Sequence, residues 1–172
     1  MSEFSHIVPH DAIGRTGPLA LTADAPSRTA IAGRLGLEAL DSFTVNATLE
    51  PVAGGALLRG TVAADVVQAC AATGLPVAAH LTAPFALRYV EAFDLPQDMD
   101  AEVELGDADL DVLLLEGGGV DVGEAAVQTL ALALDLFPRH PDADRILKEK
   151  GVVSEDQAGP FAALAALKRG PG

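Results

Sequence analysis

The stretch that decides the fold is SFTVNATLEPVAGGALLRGTVAADVVQAC, residues 42–70. Its first half alternates between apolar and polar side chains, which predicts a strand with one face buried and the other in solvent. The apolar face consists of Phe43, Val45, Ala47, Leu49 and Pro51. The small residues at 53–55 predict a tight turn, and the apolar run after them predicts a return strand in which Gly60 marks a bulge or bend. Residues 42–70 therefore predict an antiparallel hairpin.

The chain beyond this hairpin predicts a third strand of the same sheet. A turn is expected at 73–76, followed by the strand VAAHLTAPFALRYVEAF at 77–93. Pro84 within this strand favours an edge or bulge position, because proline cannot donate a hydrogen bond to a neighbouring strand. Shorter extended segments are predicted at 4–10, 17–24 and 112–116. Three successive strands joined by short turns indicate an antiparallel meander.

A first helix is predicted ahead of the hairpin. Asp24 suits the N-cap position, and Pro26 falls in the first turn, where its missing N–H costs little. Gly36 is expected to end this helix after about ten residues.

The clearest helix signal begins at Asp121, which together with Glu124 has the spacing of a capping box. The helix is expected to run to about Leu136 and to be largely buried, because apolar residues fill most of its circumference. Glu124, Gln128 and Asp135 form one polar stripe, which is either an ordinary exposed face or a partner contact.

The remaining chain predicts short helices and two polar segments. The helices are expected at 143–150 and 160–168. An acidic surface loop is predicted near 94–111, and a charged, partly flexible segment at 139–160. The whole pattern predicts an α+β fold of a single domain, 1–172, in which a mainly antiparallel β-meander packs with a buried helix and short flanking helices.

The charge is strongly acidic and unevenly spread. The formal net charge is −14, and residues 89–138 contain no lysine or arginine. Phosphate binding relies on basic groups, so we expect weak or no nucleic-acid binding by the acidic body, and a basic partner is the better electrostatic match. The chain has one cysteine, no signal-peptide pattern and no apolar run of about 20 residues, which predicts a cytoplasmic protein without a membrane span.

The sequence contains no side-chain pattern that predicts catalysis or a metal site. Cys70 has no neighbour in sequence that would lower the pKa of a thiol, and His80 across the predicted turn lacks a third, orienting group. Packing in the core is the favoured role of Cys70. One cysteine and four dispersed histidines do not form a zinc pattern. The carboxylates at 107, 109 and 111 begin like a calcium loop but lack its glycine and its final glutamate, so no cofactor is expected.

Several segments together resemble the YceD family in its alphaproteobacterial form. The motifs are V-V-Q-x-C at 66–70, E-x-x-x-Q-x-L-A-L-A-L-D at 124–135, F-P-R at 137–139 and P-F-A-x-L-x-x-L-K at 160–168. The resemblance implies a role in the synthesis, processing or stability of 23S ribosomal RNA, and it supplies no catalytic residues. The positions that match the family pattern are Gln68, Cys70, Glu124, Gln128, Leu132, Asp135, Pro138, Arg139 and Phe161. Other branches have a second cysteine where this chain has Thr73, so a metal role is not carried over.

The sequence and the resemblance predict a non-enzymatic ribosome-assembly factor that binds a basic ribosomal protein or a pre-ribosomal surface through an acidic face. One alternative is direct RNA binding through the basic residues of segment 139–150. Another is a small-ligand-binding or enzymatic domain on the same fold. The candidate partner-contact or family-pattern positions are Gln68, Cys70, Glu124, Gln128, Asp135 and Arg139.

Overall fold

The computed structural model describes residues 3–90, 111–115 and 118–152, with the side chain of Asp111 left out. Within these ranges it contains seven strands and three α-helices, which confirms the predicted α+β fold. The strands are β1 (Ile7–Pro9), β2 (Leu19–Thr22), β3 (Ala39–Val52), β4 (Gly55–Ala69), β5 (Pro76–Val90), β6 (Asp111–Leu114) and β7 (Gly119–Asp121). The helices are α1 (Ala25–Leu35), α2 (Val122–Ala133) and α3 (Ala143–Glu149), with a short 3-10 helix at His10–Ala12.

A five-stranded sheet has the strand order β2-β3-β4-β5-β6. β3 pairs antiparallel with both β2 and β4, and the β3–β4 hairpin turns through Ala53 and Gly54, where Gly54 has a φ of 74°. β6 adds to the sheet in parallel beside residues 87–90 of β5. β1 and β7 form a separate antiparallel pair. The predicted meander of β3, β4 and β5 is therefore present, and the short strands predicted around it are found as well.

Gly60 marks no bulge in the pairing of β3 with β4, and the alternative, a bend at Gly60, stays a prediction. The register continues without a shift through Gly60, and the irregularity lies between Leu40 and Ser42. Gly60 has a packing role, because an added Cβ would lie 2.6 Å from the carbonyl oxygen of Asn46 and 2.7 Å from the ring of Phe85. The missing side chain makes room for an aromatic ring of the neighbouring strand.

The apolar core lies on one face of this sheet. Four residues that alternate along β3 are buried, as the sequence pattern predicted: Phe43, Val45, Ala47 and Leu49. Pro51, at the end of the same row, is exposed. Both α1 and α2 pack against β3, and they bring Ile31 and Leu130 into the same core with no exposed surface.

α1 begins and ends where the sequence predicted. Asp24 Oδ1 accepts a hydrogen bond from the backbone N–H of Ser27 at 2.9 Å. Gly36 follows the last helical residue with a φ of 67°, a left-handed conformation that favours glycine.

α2 begins as predicted but ends early. Asp121 Oδ1 accepts a hydrogen bond from the backbone N–H of Glu124 at 3.1 Å, which satisfies one of the free amides of the first turn. The helix ends at Ala133 rather than near Leu136, because Leu134 adopts an extended backbone with a ψ of 143°.

The chain divides into two compact units. The first takes in Met1–Val67 and Ala78–Asp135, and the second takes in Gln68–Val77 and Leu136–Gly172. The prediction of a single domain stays a prediction. α3 confirms the short helix expected at 143–150, whereas the acidic loop up to residue 110, the part of the charged segment after residue 152 and the helix at 160–168 lie outside the described residues. Every helix in the described ranges is too short or too polar to cross a membrane.

Candidate partner-binding site

Asp121 ties the N-terminal segment to the start of α2. Besides capping the helix, its Oδ1 accepts a hydrogen bond from the backbone N–H of His6 at 2.9 Å, and its Oδ2 accepts one from Ser5 Oγ at 2.6 Å. Gly123 permits this close crossing, because an added Cβ would lie 2.2 Å from the carbonyl oxygen of Phe4. The Asp121 carboxylate is therefore held in one position by donors from two segments.

Glu124 joins α1 to α2 through an ion pair. Arg34, in the last turn of α1, donates from Nη1 and Nη2 to the two carboxylate oxygens of Glu124 at 2.8 and 2.6 Å. Arg34 Nη1 also binds Glu3 Oε2 at 3.0 Å, and Gln128 Nε2 donates to Glu124 Oε1 at 3.1 Å. The hydrogen bonds that Arg34 donates to Glu124 and then to Glu3 raise the pKa of its guanidinium, so this group stays charged. Two-point binding fixes the plane of the Glu124 carboxylate.

The predicted polar stripe on α2 is shorter than the sequence suggested. Glu124 and Gln128 lie one turn apart and contact each other, but Asp135 lies beyond the end of the helix. The next position in this row is Leu132, whose side chain is 85% exposed. This side of α2 therefore changes from charged to apolar along its length.

An apolar groove of about 570 Å³ lies beside Leu132. Residues 83–87 of β5 form part of its lining, and Val112 and Leu113 of β6 form another part. Val112 is 57% exposed, and Phe85 is only half-buried although it points towards the core. The groove thus presents apolar surface to solvent in the part of the chain that the structure describes.

A polar pocket of about 540 Å³ adjoins this groove. The two share the lining residues Val112, Leu113, Ala125 and Gln128. The polar pocket is also lined by Tyr89, Asp121 and Glu124. Tyr89 is 8% exposed. Burial raises the pKa of Tyr89 to about 12, with further contributions from the charges of Asp121 and Glu124, so the hydroxyl is neutral near pH 7.

In the second unit, the Cys70 thiol contacts the segment that follows Phe137. Cys70 is buried, its Sγ accepts a hydrogen bond from the backbone N–H of His140 at 3.2 Å, and the N–H of Ala71 donates to the carbonyl of Pro138 at 2.8 Å. The N–H of His140, followed by the hydroxyl of Thr73, lowers the pKa of Cys70 to about 7. The inference that no neighbour in sequence lowers the thiol pKa is wrong, because Thr73 does so, and the largest cause, the N–H of His140, comes from a distant segment.

His80, which the sequence placed across the turn from Cys70, binds a carboxylate in the first unit. His80 Nδ1 lies 2.7 Å from Asp65 Oδ1, while Ser42 Oγ donates to Asp65 Oδ2 at 2.5 Å. These bonds, with that from Ser42 the larger cause, lower the pKa of Asp65. The hydroxyl and the imidazole bind different oxygens of Asp65, which is not the arrangement of a nucleophile activated by a base. Among the described residues, no group of three or more His, Cys, Asp or Glu could hold a metal ion.

A comparison with models of protein families identifies the family of this chain. The family model described as "Large ribosomal RNA subunit accumulation protein YceD" matches residues 58–168. The chain belongs to the YceD family. This membership implies a role in the accumulation of the large ribosomal RNA subunit, and it confirms the resemblance seen in the sequence. Searches of curated proteins and of solved structures found no match.

The YceD motif positions fall into both units of the chain. Gln68, Cys70, Pro138 and Arg139 belong to the second unit, where hydrogen bonds join V-V-Q-x-C to the segment containing F-P-R. Arg139 forms an ion pair with Asp144. The first unit holds Glu124, Gln128, Leu132 and Asp135, and of these the first three form the exposed row on α2. Phe161 lies outside the described residues.

Sequence reasoning missed Arg34, Tyr89 and Val112 as components of this site. Arg34 reaches Glu124 across 90 positions of sequence, and no local pattern indicates that contact. Its position in the last turn of a predicted helix indicated only a favourable interaction with the helix dipole. Tyr89 is the only tyrosine of the chain, but its place in one pocket with Asp121 and Glu124 can be recognised only once the strands are in place.

Proposed function

We propose that the chain is a non-enzymatic, cytoplasmic assembly factor that supports 23S rRNA synthesis, processing or stability by binding a basic ribosomal protein or a basic surface of a pre-ribosomal particle. The observation that carries this proposal is the charge distribution. Residues 89–138 contain no lysine or arginine, within a chain whose formal net charge is −14. Charge of one sign attracts a partner of the opposite sign and accelerates their encounter.

The described surface supports the same partner chemistry. Around the start of α2, among the residues that the structure describes, the carboxylates of Glu3 and Glu124 share one guanidinium, that of Arg34, and the Asp121 carboxylate accepts hydrogen bonds from neutral groups. Three carboxylates with one guanidinium leave a net negative charge that a basic partner can neutralise. They lie beside apolar surface, a combination that suits a protein partner.

The test is to isolate particles with a tagged full-length chain and to separate them by sucrose-gradient sedimentation at several salt concentrations. We expect the chain to sediment with precursors of the large subunit and to dissociate as salt rises, because screening weakens contacts between exposed charges. Deletion of the gene should lower the amount of 23S rRNA relative to 16S rRNA. A folded chain that recovers no ribosomal protein and no particle would contradict the proposal.

The segment 139–150 offers little free positive charge for RNA. Arg139 forms an ion pair with Asp144, and Arg145 binds Asp142 at 3.5 Å and Glu149 at 3.0 Å. Basic groups that already hold a carboxylate contribute less to counterion release on a phosphate backbone. A gel retardation assay with 23S rRNA fragments separates the two functions. The RNA-binding alternative requires a shift that is lost when Lys148 and Lys150 are both changed to glutamine, and our proposal expects no shift.

The apolar groove also argues for a macromolecular partner over a small molecule. Pockets for small ligands typically enclose most of the ligand surface. Leu132, which lines this groove, is 85% exposed, so that wall stands open to solvent. An open groove of this kind suits an extended segment of another chain.

A further inference from the structure

We propose that the apolar groove and the polar pocket beside α2 form one contact site for the basic partner, and that this site takes an extended polypeptide segment in which an apolar side chain and a lysine or arginine lie two positions apart. The inference rests on the proposed function and adds to it the place and the chemistry of the contact. Phe85, Val112 and Leu132 line the apolar groove, and Tyr89 and Glu124 line the polar pocket.

The apolar groove presents side chains whose burial would stabilise a complex. Leu132 and Val112 are 85% and 57% exposed, and Phe85 is half-buried. Most apolar side chains of α2 face the core, so a leucine this exposed at the rim of a groove is typical of a binding surface. Well-packed apolar anchors of this type contribute much of the binding energy in protein interfaces.

The polar pocket contains groups suited to a cation. The Asp121 and Glu124 carboxylates line this pocket together with Tyr89, which is 8% exposed. A neutral phenol oxygen can accept a hydrogen bond from an ammonium or a guanidinium group, and so can each carboxylate.

The two halves are close enough for one short segment to fill both. They adjoin each other, because they share four lining residues, including Val112 and Gln128. In an extended chain, neighbouring residues lie about 3.3 Å apart along the strand and alternate in direction. An apolar side chain and a basic side chain two positions apart lie on the same side of the strand and can therefore enter the two halves together.

Charge complementarity selects the occupant. A phosphate backbone would meet carboxylates in the polar pocket, and a second copy of this chain would bring a further formal charge of −14. Both arrangements bring like charges together, which is unfavourable. A basic polypeptide segment neutralises the carboxylates and also covers the apolar groove.

The first test measures binding to large-subunit precursor particles isolated from sucrose gradients. Full-length wild type is compared with Leu132→Ala and Tyr89→Phe, and we expect each variant to bind about tenfold more weakly, since each loses one apolar anchor or one hydrogen bond to a charged group. The matched control is Leu136→Ala, because Leu136 is 83% exposed but does not line the groove or the pocket. Tyr89→Phe retains the buried ring and removes only the hydroxyl.

The second test identifies the occupant directly. A photo-reactive benzoylphenylalanine is placed at position 132, with position 136 as the control, and the particles are irradiated and analysed by mass spectrometry. The proposal expects a cross-link from position 132 alone to a ribosomal protein segment with a lysine or arginine about two residues away, the spacing at which an extended chain reaches both halves. Cross-links to rRNA, to a second copy or to another part of the same chain would overturn it, as would no cross-link.

The two proposals fail in different ways. If wild type binds the particles and the Leu132→Ala and Tyr89→Phe variants bind them equally well, the site assignment is wrong and the assembly function stands. If wild type does not bind the particles, the assembly function itself fails.

Discussion

Two leucines on α2, only two residues apart, allow a matched test of where the core ends and the surface begins. Leu130 has no exposed surface, whereas Leu132 is 85% exposed. Replacing either one with alanine removes the same atoms from the same helix. We expect Leu130→Ala to lower the free energy of unfolding by about 3 kcal/mol and Leu132→Ala to change it by less than about 0.5 kcal/mol.

The magnitude for Leu130 follows from its burial. The substitution removes three carbon groups, which at about 0.8 kcal/mol each gives roughly 2.4 kcal/mol of lost transfer free energy. The cavity left against the sheet adds about 1 kcal/mol or more, and the better helix propensity of alanine returns a few tenths. In a chain of this length each kcal/mol shifts the melting temperature by about 2–4 °C, so Leu130→Ala should melt about 6–12 °C below wild type.

The assay is thermal and urea denaturation followed by circular dichroism on wild type and both variants. Equal losses in the two variants would refute the assignment of Leu130 to the core and Leu132 to the surface. A loss above about 1 kcal/mol for Leu132→Ala would show that another part of the chain covers this side chain, since exposed positions rarely cost that much. That result would also remove the open surface on which the binding-site proposal depends.

Gly60→Ala should lower the free energy of unfolding by about 1–3 kcal/mol, because the added Cβ would collide with the Asn46 carbonyl and the Phe85 ring. Gly33→Ala in α1 should raise it by about 0.5–1 kcal/mol, because open space surrounds this position. Equal effects of the two substitutions in urea denaturation would contradict this prediction. Asp121→Ala should cost about 1–2 kcal/mol through loss of the α2 cap, while Asp121→Asn retains an acceptor oxygen and should cost less. The thiolate absorbance of Cys70, the only cysteine, should titrate near pH 7 in the folded chain and about two units higher in urea. Because the pKa of Cys70 is lower in the folded chain than in the unfolded chain, its thiolate stabilises the fold fully above the unfolded pKa, and this stabilisation is lost as pH falls through about 7. The difference in free energy of unfolding between wild type and Cys70→Ala should therefore grow from pH 7 to 9. A thiol titration midpoint near pH 9 in the folded chain would contradict this. Cys70→Ser should also cost some stability, and Cys70→Ala should support 23S rRNA accumulation nearly as well as wild type; loss of that activity in a folded variant would assign Cys70 a functional role.

The parts of the fold that could be predicted depend on local patterns. The alternation from Phe43 to Leu49 determines which face of β3 is buried, and Asp24 and Gly36 determine the ends of α1 through groups within one turn. These signals are local, so a single sequence contains them. They gave the meander, the hairpin and the start of α2.

The parts that could not be predicted depend on residues brought together from distant positions. Gly60 could be recognised as unusual, but its reason is the ring of Phe85 on the next strand. Cys70 was correctly expected to be buried, yet its pKa depends on the backbone of His140. Each of these contacts follows from the packing of whole elements, which no local pattern encodes.

Local sequence also led to the expectation that α2 is largely buried, because it does not show how much of the helix other elements cover. Its leucines at 130 and 132 are spaced by two, and on a helix with 3.6 residues per turn a spacing of two rotates the side chain by about 200°. Leu130 and Leu132 must therefore point to nearly opposite sides, and only one side can face the sheet. A helix that is apolar on both sides needs a second covering surface. Leu130 and Leu132 both lie in the YceD motif, and Leu132 follows Glu124 and Gln128 in one row, so the motif combines a core position with a row on the other side of the helix.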